Sequence, residues 1–247
     1  VTAPRLIGVL ALMLVAVSGL GYLASQTLMA RPPLVPGDLP AYVAAPVPAR
    51  TTPSVAPGQP LGRPRVDPNW LARTATRTGI PPTALRAYAV AQLSDAGGCD
   101  VGWTTLAGVG WVESQHGTLG GRTLRPGGRS STPILGPALD GRRFAAIRST
   151  PGSQAWHGDP RWEHAVGPMQ FLPGTWATWA TDGDGDGRTS PLDLDDAAAA
   201  TARYLCADGH DLTTGDGWAA AIFSYNHDQA YVDAVHAAAV TYAQRAG

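Results

Sequence analysis

Glu113 is one of only two glutamates among 247 residues, the other being Glu163; every remaining carboxylate is an aspartate. It closes the stretch Trp103-Thr-Thr-Leu-Ala-Gly-Val-Gly-Trp-Val-Glu113, in which Leu106, Gly110 and Glu113 recur at i, i+4 and i+7. That spacing places the acid beside an apolar stripe in the last turn of a helix. Burial disfavours a carboxylate, and the negative end of the helix dipole disfavours it further, so both raise the pKa. A carboxyl group kept neutral near physiological pH suits a general acid, which gives a proton to a leaving oxygen. The competing reading is a buried ion pair between Glu113 and an arginine. Gly108 and Gly110 each cost about 1 kcal/mol in a helix relative to Ala, which predicts close approach by a neighbouring element or by a substrate.

A second constellation is suited to a cation. Asp182-Gly-Asp184-Gly-Asp186-Gly187-Arg188-Thr-Ser190-Pro-Leu-Asp193 fits the twelve-position EF-hand loop, with Asp at 1, 3, 5 and 12, Gly at 6 and Ser at 9. These carboxylates and the Arg188 carbonyl are hard oxygen donors of the kind Ca²⁺ selects. Asp193 in place of Glu at position 12 shortens the reach and weakens the site, leaving Mg²⁺, an empty loop or a solvated Asp-Gly turn as alternatives. Cys99 and Cys206 are the only cysteines. In an exported chain an even count favours a disulfide over two unrelated buried thiols, and the bond would pin the acid-bearing helix to the helix after the Asp loop.

The elements around these groups follow from composition and punctuation. Residues 6–24 carry no charge and follow Arg5, long enough as a helix to cross a bilayer's hydrocarbon core. We therefore expect 1–30 to be an uncleaved membrane anchor with the bulk of the chain outside the cytoplasm, the alternative being a cleaved signal and a secreted product. Residues 31–66 read as a proline-rich tether, since 11 of the chain's 22 prolines fall between 31 and 68. A folded domain is expected over 67–247. Asp67-Pro68 starts a first helix that stops at Gly79. A second begins near Thr83 and a third covers 103–116. Residues 118–164, rich in Gly, Arg and Pro, predict loops and a short hairpin. Helices resume at 174–181, 195–207, 217–225 and 228–246. The fold class expected is mainly α. A net charge of -1 argues against a nucleic-acid footprint.

Gly-x-Gly-x-Val-Glu113-Ser-x-His-Gly, then Ala165-Val-Gly-Pro-Met-Gln170-Phe-Leu-Pro-Gly-Thr-Trp176, then Ser224-Tyr225-Asn226 resembles the lytic transglycosylases of the lysozyme-like superfamily. The similarity is greatest to the membrane-bound type B murein transglycosylases and their actinobacterial relatives. It runs from about residue 67 to the end and implies a lysozyme-like α+β domain whose substrate is peptidoglycan. It further implies Glu113 as the one catalytic acid, Gln170 in the sugar site, Tyr225 and Asn226 facing the acid, and a structural role for the Asp loop. The implied reaction cleaves the β-1,4 bond after N-acetylmuramic acid without water, leaving a 1,6-anhydro end. The alternatives are a hydrolytic muramidase on the same scaffold and a calcium-stabilised glycan-binding module without turnover. Ser114 is a candidate polar support. Trp156 or Trp162 is a candidate sugar platform, and Trp176 is expected in the core. Glu163 is read as a loop or groove residue rather than the acid.

Overall fold

The computed structural model describes residues 64–94, 99, 101–142 and 144–247. The expected anchor at 1–30 and the tether up to residue 63 lie outside the described residues. Among the described residues no helix is long and apolar enough to cross a membrane.

Helix α1, Pro68–Thr78, begins and ends where its caps dictate. The Asp67 carboxylate accepts from the Trp70 N–H at 2.8 Å, and Gly79 closes the helix at φ 76°. After Pro81 comes α2, Pro82–Leu93, and then α3, Trp103–Ser114. The remaining helices are α4, Pro151–His157; α5, Pro173–Trp179; α6, Leu194–Cys206; α7, Gly215–Tyr225; and α8, Gln229–Ala246.

The acid-bearing α3 runs through the middle of this bundle, buried from Trp103 to Gly110. It lies along α8 and against α2, while α2 packs on α6. Its two glycines explain how. A Cβ on Gly108 would stand 2.7 Å from the Val235 carbonyl oxygen of α8, and one on Gly110 would collide with the Tyr88 hydroxyl of α2. Close approach by neighbouring elements, not by a substrate, is what those positions serve. Trp103, Leu106 and Val109 are fully buried, each contributing about 1.5–3 kcal/mol of hydrophobic stabilisation. Trp218 of α7 donates its indole N–H to the Thr105 hydroxyl at 3.0 Å. The Cys99–Cys206 disulfide is formed, joining the approach to α3 with the end of α6 across 107 residues. A loop of that size corresponds to roughly 4–5 kcal/mol in the chain-entropy treatment.

The stretch between α3 and α5 departs from expectation. It contains α4, a short helix begun by a capping box in which the Thr150 and Ser153 side chains each accept the other residue's backbone N–H. It also contains a 3-10 turn, Leu119–Gly121. The described residues hold no β-sheet, only isolated bridges: Leu124 with Ser130, Leu135 with Val166, Arg148 with Trp162, and Val166 with Phe171 among them. The β portion implied by a lysozyme-like α+β domain is therefore reduced to single pairings. The segment at 161–167 lies between 134–139 on one side and 147–149 on the other, held by bonds such as Gly136 N–H to the Ala165 carbonyl and Glu163 N–H to the Ile147 carbonyl.

Candidate active site

Glu113 stands half-buried one residue before the end of α3. Burial pushes its carboxyl up to about 7, against a hydrogen bond from Tyr231 that lowers it. The Tyr231 hydroxyl donates to Glu113 Oε1 at 2.6 Å from the first turn of α8. Among the described residues no arginine pairs with Glu113, so the ion-pair alternative does not hold. Tyr231 is a contact of Glu113 that the sequence reading does not single out. Its partner is 118 residues away, and nothing local signals the contact.

Immediately after Glu113 the chain turns sharply. Gln115, His116 and Gly117 all take left-handed conformations, with φ of 52°, 61° and 83°. Such a run is costly for the two non-glycine residues. It is held by buried contacts: the His116 ring lies 3.1 Å from the Tyr88 hydroxyl through Nδ1 and 2.8 Å from the Tyr242 hydroxyl through Nε2. Desolvation lowers His116 to about 3, so it stays neutral. Ser114, expected as a polar support for substrate, is buried. Its hydroxyl donates to the Pro168 carbonyl at 2.5 Å and accepts from the Gly117 N–H at 2.8 Å. It fastens the end of α3 to the turn that carries Gln170.

Gln170 is itself left-handed, φ 51°, with its side-chain amide donating to the Gly167 carbonyl at 2.8 Å. The Tyr225 hydroxyl donates to the Met169 carbonyl at 2.7 Å, and its ring stacks on Tyr231, centroids 6.5 Å apart at 12°. One chain of contacts thus joins Gln170's turn, Tyr225, Tyr231 and Glu113. Asn226 caps α7 and is exposed.

Other expected residues are placed differently. Glu163 is buried, not groove-facing: Oε1 accepts from the Ser153 hydroxyl and from the Thr150 N–H, and Oε2 lies 3.5 Å from His157 Nε2. It secures the start of α4. Trp162 carries the Arg148 guanidinium 4.1 Å over its ring centroid, so one of its faces is covered. Trp156 packs against the hydrophobic core, as does the buried Trp176.

The acidic loop gathers the carboxylates of Asp182, Asp184 and Asp196, with ligand oxygens all within 4.8 Å of one another. Asp193, expected at the twelfth position, is outside this group. Its carboxylate accepts from the Asp195 N–H at 3.0 Å, capping α6, and faces Arg129 at 3.7 Å. Asp196, nearly one helical turn further on, takes its place, accepting from the Gly183 and Ser190 N–H groups at 2.7 and 2.8 Å. Asp186 also stays outside, accepting from the Arg188 N–H at 2.8 Å. Desolvation, with smaller contributions from the Asp193 and Asp184 charges, raises Asp196 to about 6 even against those two amides. Three converging carboxylates, of which Asp196 is buried, Asp182 half-buried and Asp184 exposed, fit a divalent cation, which would neutralise them.

A family model for the transglycosylase SLT domain matches residues 156–236. That span, about a third of the chain, holds Gln170, the acidic loop, Tyr225, Asn226 and Tyr231, and begins beyond Glu113. Similar solved structures include the Escherichia coli lytic transglycosylase Slt35 in complex with calcium, 17% identical over 72% of this chain and 76% of that one, TM-score 0.43. The same enzyme in complex with bulgecin A gives 17% identity, 72% and 75% coverage and a TM-score of 0.42. A 36 kDa muramidase/transglycosylase gives 17% identity, 72% and 76% coverage and 0.44. No curated protein matches the chain.

Proposed function

We propose that the chain is a lytic transglycosylase that cuts peptidoglycan glycan strands, with Glu113 as its single acid and base. The observation that carries this is a half-buried carboxyl, raised to about 7, whose described partner is a neutral tyrosine hydroxyl. The SLT-domain match over the segment facing that acid supports the substrate class. Protonated Glu113 gives its proton to the oxygen of the β-1,4 bond between N-acetylmuramic acid and N-acetylglucosamine as the bond to the muramic C1 breaks. The sugar's own acetamido oxygen stabilises the positive carbon. Glu113, now a carboxylate, takes the proton of the C6 hydroxyl while that oxygen bonds to C1, closing a 1,6-anhydro ring and restoring the acid.

Tyr231 fixes the orientation of Glu113 throughout. Gln170 and Asn226 supply polar contacts to the sugars, with Tyr225 behind them, and Trp162 an aromatic contact from its uncovered face. Asp182, Asp184 and Asp196 would hold a structural Ca²⁺ through their carboxylate oxygens. The domain works outside the cytoplasmic membrane, anchored by residues 1–30 or released where they are removed, a compartment in which a disulfide persists. Mass spectrometry of released muropeptides tests the reaction. Anhydro products, lighter by one water than hydrolysis products, are expected; reducing ends would make the chain a muramidase, and intact strands a binding module.

A further inference from the structure

His116 is buried just beyond Glu113, on a left-handed backbone, φ 61°, that a residue with a Cβ adopts only at a cost. Its ring bridges two helices. Nδ1 lies 3.1 Å from the Tyr88 hydroxyl of α2, and Nε2 lies 2.8 Å from the Tyr242 hydroxyl of α8. A hydroxyl can give or take a proton, so either neutral tautomer of the ring satisfies both partners. The bridge needs no charge. Tyr88 reaches it by passing α3 at Gly110, where a Cβ would meet its hydroxyl. Gly110 also serves the turn through its backbone, its carbonyl accepting the His116 N–H at 2.8 Å. The Trp111 ring lies against a third side, centroids 5.7 Å apart.

What this bridge holds is the end of the acid-bearing helix. The sequence reads as helix through residue 116, yet the chain leaves the helix after Ser114. Tyr242 shares α8 with Tyr231, which sits about three turns earlier and donates to Glu113 Oε1 at 2.6 Å. The last turn of α3 is therefore tied to α8 twice, once through the carboxyl itself and once through the ring just past it. We propose that His116 is a positioning residue for Glu113: its ring, wedged between Tyr88 and Tyr242, stops α3 where it does and so fixes the Glu113 carboxyl in its sheltered place beside Tyr231. Without the ring, residues 115 and 116 relax toward helix and the carboxyl swings out to water. The consequence for catalysis rests on the reading of Glu113 as the acid; the placement of the carboxyl does not.

The test uses the full chain and its scarcity of glutamate. Glu113 and Glu163 are the only two, so glutamate labelled with ¹³C at the carboxyl carbon gives two side-chain signals to follow against pH. His116→Phe keeps a ring and removes both bonds; His116→Asn suits the left-handed backbone and removes the ring. In both, the Glu113 midpoint is expected to fall by about one pH unit or more toward the ordinary carboxylate range, because shelter is lost, while the Glu163 signal stays where it is. A Glu113 midpoint that is unmoved or raised in the folded variants overturns the proposal. In glycan-cleavage kinetics His116→Phe should lower kcat by about ten- to a hundredfold and leave KM within about twofold. Wild-type kcat, or a loss confined to KM, overturns the positioning role. Should His116→Phe fail to fold, Tyr242→Phe takes away one of the two bonds and is expected to move the Glu113 midpoint and kcat in the same directions by less; no movement in either overturns the proposal. A wild type that cuts no glycan would sink the reaction proposed above, while the two carboxyl signals would still decide where His116 holds Glu113.

Discussion

At the end of α3 one glutamate lies among tyrosines; at the start of α6 several aspartates lie among backbone amides. Both places raise carboxyl pKa values, and in both desolvation is the first cause. The neighbours make the difference. Glu113 receives one neutral hydroxyl and has no charge to satisfy, so the simplest relief for it is to keep a proton, and a proton held near neutrality can be donated. Asp196 accepts two amides and is repelled by other carboxylates, so a cation relieves it better than a proton does. The same direction of shift therefore suits transfer in one region and ligation in the other.

The largest effect expected on this contrast comes from Glu113→Gln, which keeps the shape and removes the transferable proton. Glycan cleavage should fall by about 10²–10⁴-fold or more, roughly 3–5 kcal/mol of barrier, in a turnover assay. Cutting at the wild-type rate would take the acid role away from this residue. Next comes Gly167→Ala, which probes whether the regions are independent. Gly167 is left-handed at φ 78° and abuts the Pro191 carbonyl of the acidic loop, with no room for a Cβ. A loss of about 2–4 kcal/mol is expected by denaturant titration, together with weaker calcium binding, because the turn carrying Gln170 rests on that loop.

Calcium itself sharpens the other half. At a hundredfold excess over Kd it should stabilise by about 2.7 kcal/mol, read as a Tm rise of roughly 5–10 °C that chelator removes. Asp196→Asn should abolish the rise and Asp193→Asn should retain it; the reverse would restore the twelve-position loop. The smallest effect is that of Tyr231→Phe. With Glu113 as the proposed acid, cleavage is expected below about pH 7 and should be lost as pH rises through that value. The Tyr231 bond lowers the pKa, so its removal should move this limb to higher pH, with a several-fold drop in kcat, seen in a pH–rate profile.

Much of the helical frame is written in short-range signals. Asp67-Pro68 and Gly79 bound α1 because caps act within one turn, and the third helix, read as 103–116, stops at Ser114 only because two further residues turn left-handed. α4 escapes notice because only Ser153 of its seven residues is buried, leaving no apolar period to read; the Thr150-Pro151 start was its one visible sign. Glu113 was legible from spacing and rarity. Its raised pKa was legible too, although the structure attributes it to burial. Tyr231, the exchange of Asp196 for Asp193, the Arg148 cover on Trp162 and the inward turn of Ser114 and Glu163 all depend on partners brought from elsewhere in the chain. No local pattern encodes them.

The two glycines of α3 close a common route to a hardier protein. Replacing helical glycine with alanine ordinarily gains about 1 kcal/mol in helix propensity, yet at positions 108 and 110 the added methyl would drive α3 off α8 and Tyr88. Gly174, inside α5 with nothing within 4 Å of a would-be Cβ, is open to that change. Thermostable variants of this domain are to be sought on its outer helices, with the packing around the acid left as it is.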